Sequence, residues 1–221
     1  MFTGLIETMG EVISFVPGAG AARLTIAAPA IAGRLRTGDS VAVNGVCLTA
    51  LRIEPDAFPP RFTADLAAET IARTTLSRLG SGSEVNLELP TPAGAPLGGH
   101  VVQGHVDGVG TLIGLDQVSP GVEASDWMMR LQMPDALTRY VVEKGSIAVE
   151  GISLTVAGIA GDEIWIAILP HTYTATNLHT LTSGMDVNLE VDVMAKYAES
   201  RERAQVGKPE LTVEYLVANG Y

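Results

Sequence analysis

The chain has 221 residues, 47% of them hydrophobic, enough for one or two buried cores. Its formal charge of −11 repels nucleic-acid phosphates and anionic lipid headgroups, so neither is an expected partner. The lone cysteine, Cys47, excludes an intrachain disulfide, the opening MFTGLIETMGE has no basic leader, and no charge-free apolar run reaches about 18 residues. The expectation is a cytoplasmic protein with no membrane span.

Taken in order, the first elements are short segments rich in Val, Leu and Thr and bounded by Gly, Pro or Asp, such as Gly38 to Leu51 and Val85 to Leu89. These read as strands. Pro29 to Leu35, ended by Gly38, reads as a short helix, and Thr91 to Pro96 as a linker. Beyond it, Asp116 to Asp126 is a loop without a counterpart upstream. Pro134 to Lys144 has Pro and Asp in its first turn, apolar Leu137, Tyr140 and Val141, and Gly145 as a stop, which predicts a second helix. After Asp192 the chain becomes charged and helix-favouring over Met194 to Ala204. A break at Gly207-Lys208-Pro209 follows, and then Leu211, Tyr215 and Leu216 lead to Asn219-Gly220.

The decapeptide Ser40 to Thr49, SVAVNGVCLT, is written again as Ser146 to Thr155, SIAVEGISLT. The flanks repeat in the same order. EVNLEL from Glu84 returns as DVNLEV from Asp186, Glu69 to Thr74 returns as His171 to Thr176, and Phe2 to Gly10 matches Val102 to Gly110. One module of about a hundred residues is therefore duplicated. Each copy carries four to six strands, and a small closed antiparallel barrel is the arrangement that leaves no unpaired edge.

Strand alternation places Cys47 and Thr49 on one face and Val46, Leu48 and Ala50 on the other, with Ser153 and Thr155 placed alike in the second copy. A nucleophile-type residue plus a hydroxyl at one equivalent place in each barrel predicts a pair of ligand pockets. A lone cysteine is otherwise a small core hydrophobe. Gly98 to Gly108, GGHVVQGHVDG, is the densest Gly and His cluster. His100 and His105 lack the Cys, Asp or Glu that would complete a zinc pattern, so no metal site is expected. A phosphate-binding loop, a dinucleotide fingerprint and a serine-hydrolase elbow are all absent.

With MFTG, NGVCLT, GGHVVQGHVDG and EGISLT in this order and spacing, the chain closely resembles the riboflavin synthase family of the alpha-chain type. The resemblance implies an all-β fold of two tandem six-stranded Greek-key barrels from an internal duplication, followed by a C-terminal α-helix. The division would be an N-terminal barrel over 1–97, a C-terminal barrel over 98–192 and a helical trimerisation segment over 193–221. It implies a homotrimer with active sites between barrels of neighbouring subunits. The activity implied is a dismutation in which one 6,7-dimethyl-8-ribityllumazine donates four carbons to another, without metal or organic cofactor. A non-catalytic lumazine- or flavin-binding antenna protein is the competing reading.

Carried over by motif, the N-terminal pocket would use Ser40, Cys47, Leu48, Thr49, Asp65, Leu66, Ala67, Ala68, Glu69 and Thr70, with Gly104, His105 and Val106 across it. The C-terminal pocket would use Ser153, Leu154, Thr155, Ala167, Ile168, Leu169, Pro170, His171 and Thr172, with Gly4, Leu5 and Ile6 across it and Lys144 reaching the shared interface. Cys47, His105, Ser153 and Asp192 are the residues implied to carry the chemistry. The pseudo-symmetry is broken where Leu5 stands for His105, Cys47 for Ser153 and Pro90 for Asp192, as different roles for two substrates require.

Overall fold

A computed structural model describes residues 1–122, 125–206, 213–218 and 220. The first repeat contributes β1 (Thr8–Pro17), β2 (Ala21–Ala27), β3 (Ser40–Val43), β4 (Val46–Thr49), β5 (Ile53–Glu54), β6 (Arg61–Ala67), helix α1 (Ala68–Arg73) and β7 (Glu84–Glu88). The second contributes β8 (Gly108–Gln117), β9 (Trp127–Gln132), α2 (Asp135–Thr138), β10 (Ser146–Val149), β11 (Ile152–Ala160), β12 (Glu163–Ile168), α3 (Pro170–Ala175) and β13 (Asp186–Val191). Helices α4 (Val193–Val206) and α5 (Val213–Ala218) follow. No described helix is long and apolar enough to cross a membrane.

β8 to β13 form a closed six-stranded barrel in the order β10-β11-β12-β9-β8-β13. The first repeat has the same order, β3-β4-β6-β2-β1-β7, but its ladder opens between β4 and β6. The break falls at Ala50 to Arg52, the counterpart of the bulge between Val156 and Gly158 in β11. It is spanned by two backbone bonds, Leu51 N–H to Thr63 O at 2.9 Å and Thr63 N–H to Arg52 O at 2.8 Å. β5 then resumes the pairing through Ile53 and Phe62. A bulge tolerated in one copy has become a strand break in the other.

Alternation fills each barrel. Val41, Val43, Val46, Leu48, Phe62, Ala64 and Leu66 point into the first core, and Ile147, Val149, Ile152, Leu154, Ile164, Ile166 and Ile168 into the second. Each fully buried aliphatic side chain contributes about 1.5 to 3 kcal/mol relative to exposure. A third, small cluster of Phe2, Ala42, Val102 and Ala148 joins the barrels. Phe2 and Val102, equivalent residues, pair with each other through two backbone bonds of 2.7 and 3.1 Å.

The two copies thus meet about a pseudo-twofold axis, and the polar contacts obey it. Asn86 Nδ2 donates to Glu150 O at 2.9 Å, as Asn188 Nδ2 donates to Asn44 O at 3.0 Å. Asn177 N–H donates to Asn86 Oδ1 at 2.7 Å, as Thr75 N–H donates to Asn188 Oδ1 at 2.8 Å. Gly45 and Gly151, both in left-handed turns, lie so close that a Cβ on either would come within 2.7 Å of the other's backbone nitrogen.

Several helical expectations need correction. Pro134 to Lys144 is only one helical turn, α2, because the chain continues by i to i+3 bonds, Tyr140 N–H to Leu137 O and Val141 N–H to Thr138 O. The left-handed residue that ends the segment is Lys144 (φ 64°), not Gly145, and it turns its N–H to Val156 O at 2.8 Å. Pro29 to Leu35 is reduced to a 3-10 turn at Ala32–Arg34. Met194 to Ala204 lies within α4, and the loop expected at Asp116 to Asp126 joins β8 to β9, its Glu123 and Ala124 being outside the described residues. The Gly207 to Pro209 break, Leu211 and Asn219 also lie outside them.

Candidate active site

Each barrel has one seam that its ladder does not close. β4 is paired on one side with β3, and beyond Thr63 it forms no ladder with β6. In the second barrel the ladder between β11 and β12 stops at Val156 and Ile166, although both strands run on. Alternation leaves half-buried Cys47 and exposed Thr49, Asp65 and Ala67 on the outer face along the first seam. Half-buried Ser153 and exposed Thr155, Ala167 and Leu169 stand in the same way along the second.

The seams are completed crosswise. Gly104, from the second repeat, accepts the Cys47 N–H on its carbonyl at 2.8 Å, and Gly4, from the first, accepts the Ser153 N–H at 2.8 Å. Both glycines have positive φ, and a Cβ would lie 2.6 Å from Cys47 Cβ or 2.7 Å from Ser153 Cβ. Any larger residue would push the segment off its strand. By the alternation of an antiparallel ladder, the amides of Thr49 and Thr155 turn to the same open sides, and exposed His105 and Leu5 directly follow the two capping glycines.

The structure therefore gathers Cys47, Thr49, Asp65, Ala67, Gly104 and His105 around one seam, and Ser153, Thr155, Ala167, Leu169, Gly4 and Leu5 around the other. Ala68, Glu69 and Thr70 open α1 at the end of the first seam, and Pro170, His171 and Thr172 open α3 at the end of the second. Leu48, Leu66, Leu154 and Ile168 turn their side chains into the barrel cores, leaving only backbone near the seams. Val106 and Ile6 pack partly against the opposite barrel from their own strands' repeat. Asp65 is held by Arg23 at 2.7 Å on an exposed surface, and the Arg23 hydrogen bond lowers its carboxyl below the usual range.

Ser40 stands directly opposite Thr49 and lines a cavity of about 640 Å³ with Leu5, Ile6 and Pro90. The corresponding cavity of about 580 Å³, beside Ser146 and Asp192, has α4 as one wall. Asp192 is half-buried, and its Oδ1 accepts the Met194 N–H at 2.9 Å, so it caps α4. Lys144 is exposed before β10.

One residue given no role by the sequence reading stands at the centre of the second seam. His100 is 8% exposed, and its Nδ1 lies 2.7 Å from Ser153 Oγ, while Nε2 has no hydrogen-bond partner among the described residues. Burial pushes its pKa below the usual histidine value, with the charge of Asp192 pulling the other way, so burial favours the neutral ring. The signal was the glycine-rich cluster itself. Gly99 lets the chain pass so close to Thr3 that a Cβ would lie 2.1 Å from its carbonyl, which sets His100 against Ser153.

Comparison with known proteins shows the same duplication. The family model described as lumazine binding domain matches twice, at residues 3–90 and 103–192. The chain is 46% identical to riboflavin synthase of Mycobacterium tuberculosis, over 92% of this chain and 99% of that protein. It is 38% identical to riboflavin synthase of Bacillus subtilis, with 100% of both chains covered. Among solved structures, it superposes on LumP complexed with riboflavin with a TM-score of 0.78 at 28% identity, covering 86% of this chain and 99% of that one. LumP complexed with 6,7-dimethyl-8-(1'-D-ribityl) lumazine gives a TM-score of 0.76 at 26% identity, with the same coverage. Two matched repeats, full-length relatives and two equivalent seams completed crosswise make this chain a member of the riboflavin synthase family.

Proposed function

We propose that the chain catalyses the dismutation of two molecules of 6,7-dimethyl-8-ribityllumazine. Four carbons pass from one to the other, giving riboflavin and 5-amino-6-(D-ribitylamino)uracil. The observation that carries this reading is the pair of equivalent seams with unequal chemistry, a thiol whose strand is capped by the segment of Gly104 and His105 in one and a hydroxyl backed by His100 in the other. Two copies of one substrate need two similar recognition surfaces, and a reaction in which they play different roles needs different groups. Orienting two reactants is itself worth an effective concentration of roughly 10⁵ to 10⁸ M.

In the second seam, Ser153 takes a proton from the acidic 7-methyl group of the bound ring and passes its own to the neutral His100. In the first, Cys47 adds to the acceptor ring or moves a proton, and His105 exchanges protons with solvent. Asp192 acts through its charge on His100 as well as by capping α4. The side chains and backbone gathered along the two seams hold the rings. Ser40 does so from β3, and Lys144 from the interface with a neighbouring subunit.

The reading includes a homotrimer that pairs the first seam of one subunit with the second seam of the next. Exposed Met194 and Tyr197 on α4 and exposed Val142 in the turn before β10, apolar surface outside both barrel cores, support it. It also includes the three-part division at 1–97, 98–192 and 193–221 and a cytoplasmic location. The test is to mix the purified chain with the lumazine and follow riboflavin absorbance. Sustained turnover is expected, whereas tight binding of the lumazine without product would establish the antenna alternative.

A further inference from the structure

Glu88 and Glu190 are equivalent residues at the ends of β7 and β13, exposed by only 5% and 3%. No ion pair reaches either carboxylate among the described residues. Glu190 instead accepts three successive backbone N–H groups, from Gln103 on Oε1 at 2.7 Å and from Gly104 and His105 on Oε2 at 2.9 Å each. Glu88 accepts the Thr3 N–H and the Thr3 hydroxyl on Oε1 at 2.7 Å each, and the Gly4 N–H on Oε2 at 3.0 Å. Consecutive amides converging on an anion form a nest. Burial raises both carboxyl pKa values, so the fold carries a cost at each.

What these carboxylates hold explains the cost. Each nest is the segment that leaves its own barrel to cap the other barrel's seam, Gly104 at Cys47 and Gly4 at Ser153. The segments are irregular backbone with no ladder to fix them, apart from the Phe2 and Val102 bridge just before. We propose that Glu190 and Glu88 are crosswise positioning residues. Glu190, on the second barrel, fixes the His105 segment over the Cys47 seam of the first, and Glu88, on the first barrel, fixes the Leu5 segment over the Ser153 seam of the second. The functional meaning rests on the seams being the substrate pockets. The mechanical claim does not.

Cys47 is the only cysteine, so it reports one seam alone. In the full chain, Glu190→Gln keeps the shape but turns an NH2 donor toward backbone donors, which loosens the nest. The rate of Cys47 modification by a small thiol reagent, measured without substrate, should rise about tenfold in Glu190→Gln and stay within about twofold in Glu88→Gln, since 1.4 kcal/mol is a factor of ten. Riboflavin should protect Cys47 only at correspondingly higher concentration in Glu190→Gln. A merely structural role would open the barrel each residue belongs to, making Glu88→Gln the reactive variant, and that result, or equal rates in both, would overturn the proposal. If Glu190→Gln does not fold, Glu190→Asp, which withdraws the carboxylate by one methylene, should give the same order of rates. Failure of the wild-type chain to turn over the lumazine would strike the functional reading while leaving this crossed pattern to stand or fall by itself.

Discussion

Barrel one and barrel two share strand order, the bulge between Val12 and Ser14 that recurs between Leu112 and Gly114, a core and most of a pseudo-symmetric polar network at their junction, yet differ at the few residues that face the seams. Asn86 and Asn188 are interchangeable, as are Gly4 and Gly104 or Glu88 and Glu190. Cys47 and Ser153 are not, nor are Leu5 and His105. The difference teaches that duplication preserved what docks the halves and let diverge what acts on the ligand. Ser153 has His100 at 2.7 Å, and Cys47 forms no such bond among the described residues.

The hardest test of that contrast is to remove one barrel. Met1 to Ala95 contains every strand of the first barrel and the Cys47 seam, but not Gly104, so its β4 edge would be uncapped. The pseudo-twofold axis supplies a substitute, because Gly4 of a second copy can take the place of Gly104. The half-chain should therefore sediment as a dimer, bind riboflavin by fluorescence quenching, and show essentially no turnover, since His100, His105 and Ser153 are all gone. Near-full turnover by the half-chain would mean that the unequal groups are dispensable.

A smaller change tests the second seam alone. His100→Asn keeps a polar atom near Ser153 Oγ but cannot take a proton, and loss of a general base lowers rate by about 10² to 10⁴. The expected result is that fall in kcat with riboflavin binding retained. The reciprocal variant, Cys47→Ser, makes the first barrel resemble the second without giving it a histidine. A loss as large in that variant would mean that the two seams depend equally on their own side chains.

Much of this was legible from residues alone. The repeat offsets relate β3, β4 and β7 to β10, β11 and β13 and the start of β1 to that of β8, and alternation separates Val46, Leu48 and Ala50 from Cys47 and Thr49. The motif resemblance supplied the segments around each seam. His100 was not assignable, because its partner Ser153 lies 53 residues away and the contact depends on Gly99 passing close to Thr3. Glu88 and Glu190 repeat visibly in EVNLEL and DVNLEV, but their partners are backbone amides, which leave no mark on a sequence. The helix expected at Pro134 to Lys144 was over-extended for a different reason. Its apolar spacing correctly buries Leu137 and Val141, and spacing of three or four residues does not distinguish an α-helix from successive i to i+3 turns.

The smallest expected effect comes from a place where the docking network itself is unequal, as it also is where Asn177 bonds through its side chain to Asn86 and Glu150 and its counterpart is Thr75. Asn44 in the first repeat corresponds to Glu150 in the second, both at positive φ, 46° and 49°. Asn44 Oδ1 accepts the Asn86 N–H at 2.7 Å, and Glu150 Oε1 accepts the Asn188 N–H at 2.6 Å. Glu150 is 2% exposed, and burial raises its carboxyl pKa to about 7, with the Asn188 and Asn177 hydrogen bonds acting against the shift. The folded chain therefore binds this proton more tightly than the unfolded chain, whose carboxyl titrates near 4.5. Its contribution is fully present below that value and is lost as pH rises through about 7, by up to roughly 1.4 kcal/mol per pH unit. Glu88 and Glu190 slope the same way, so the background does not vanish when Glu150 is changed. Glu150→Asn restores the symmetry of the repeat, removes the buried charge, and suits the left-handed backbone better than glutamate does. Melting followed at pH 4 and pH 8 should show little change at the lower pH and stabilisation of about 1 to 3 kcal/mol at the higher. Equal destabilisation at both would mean that the longer glutamate fills the junction in a way asparagine cannot, and that the two repeats differ in packing as well as in charge.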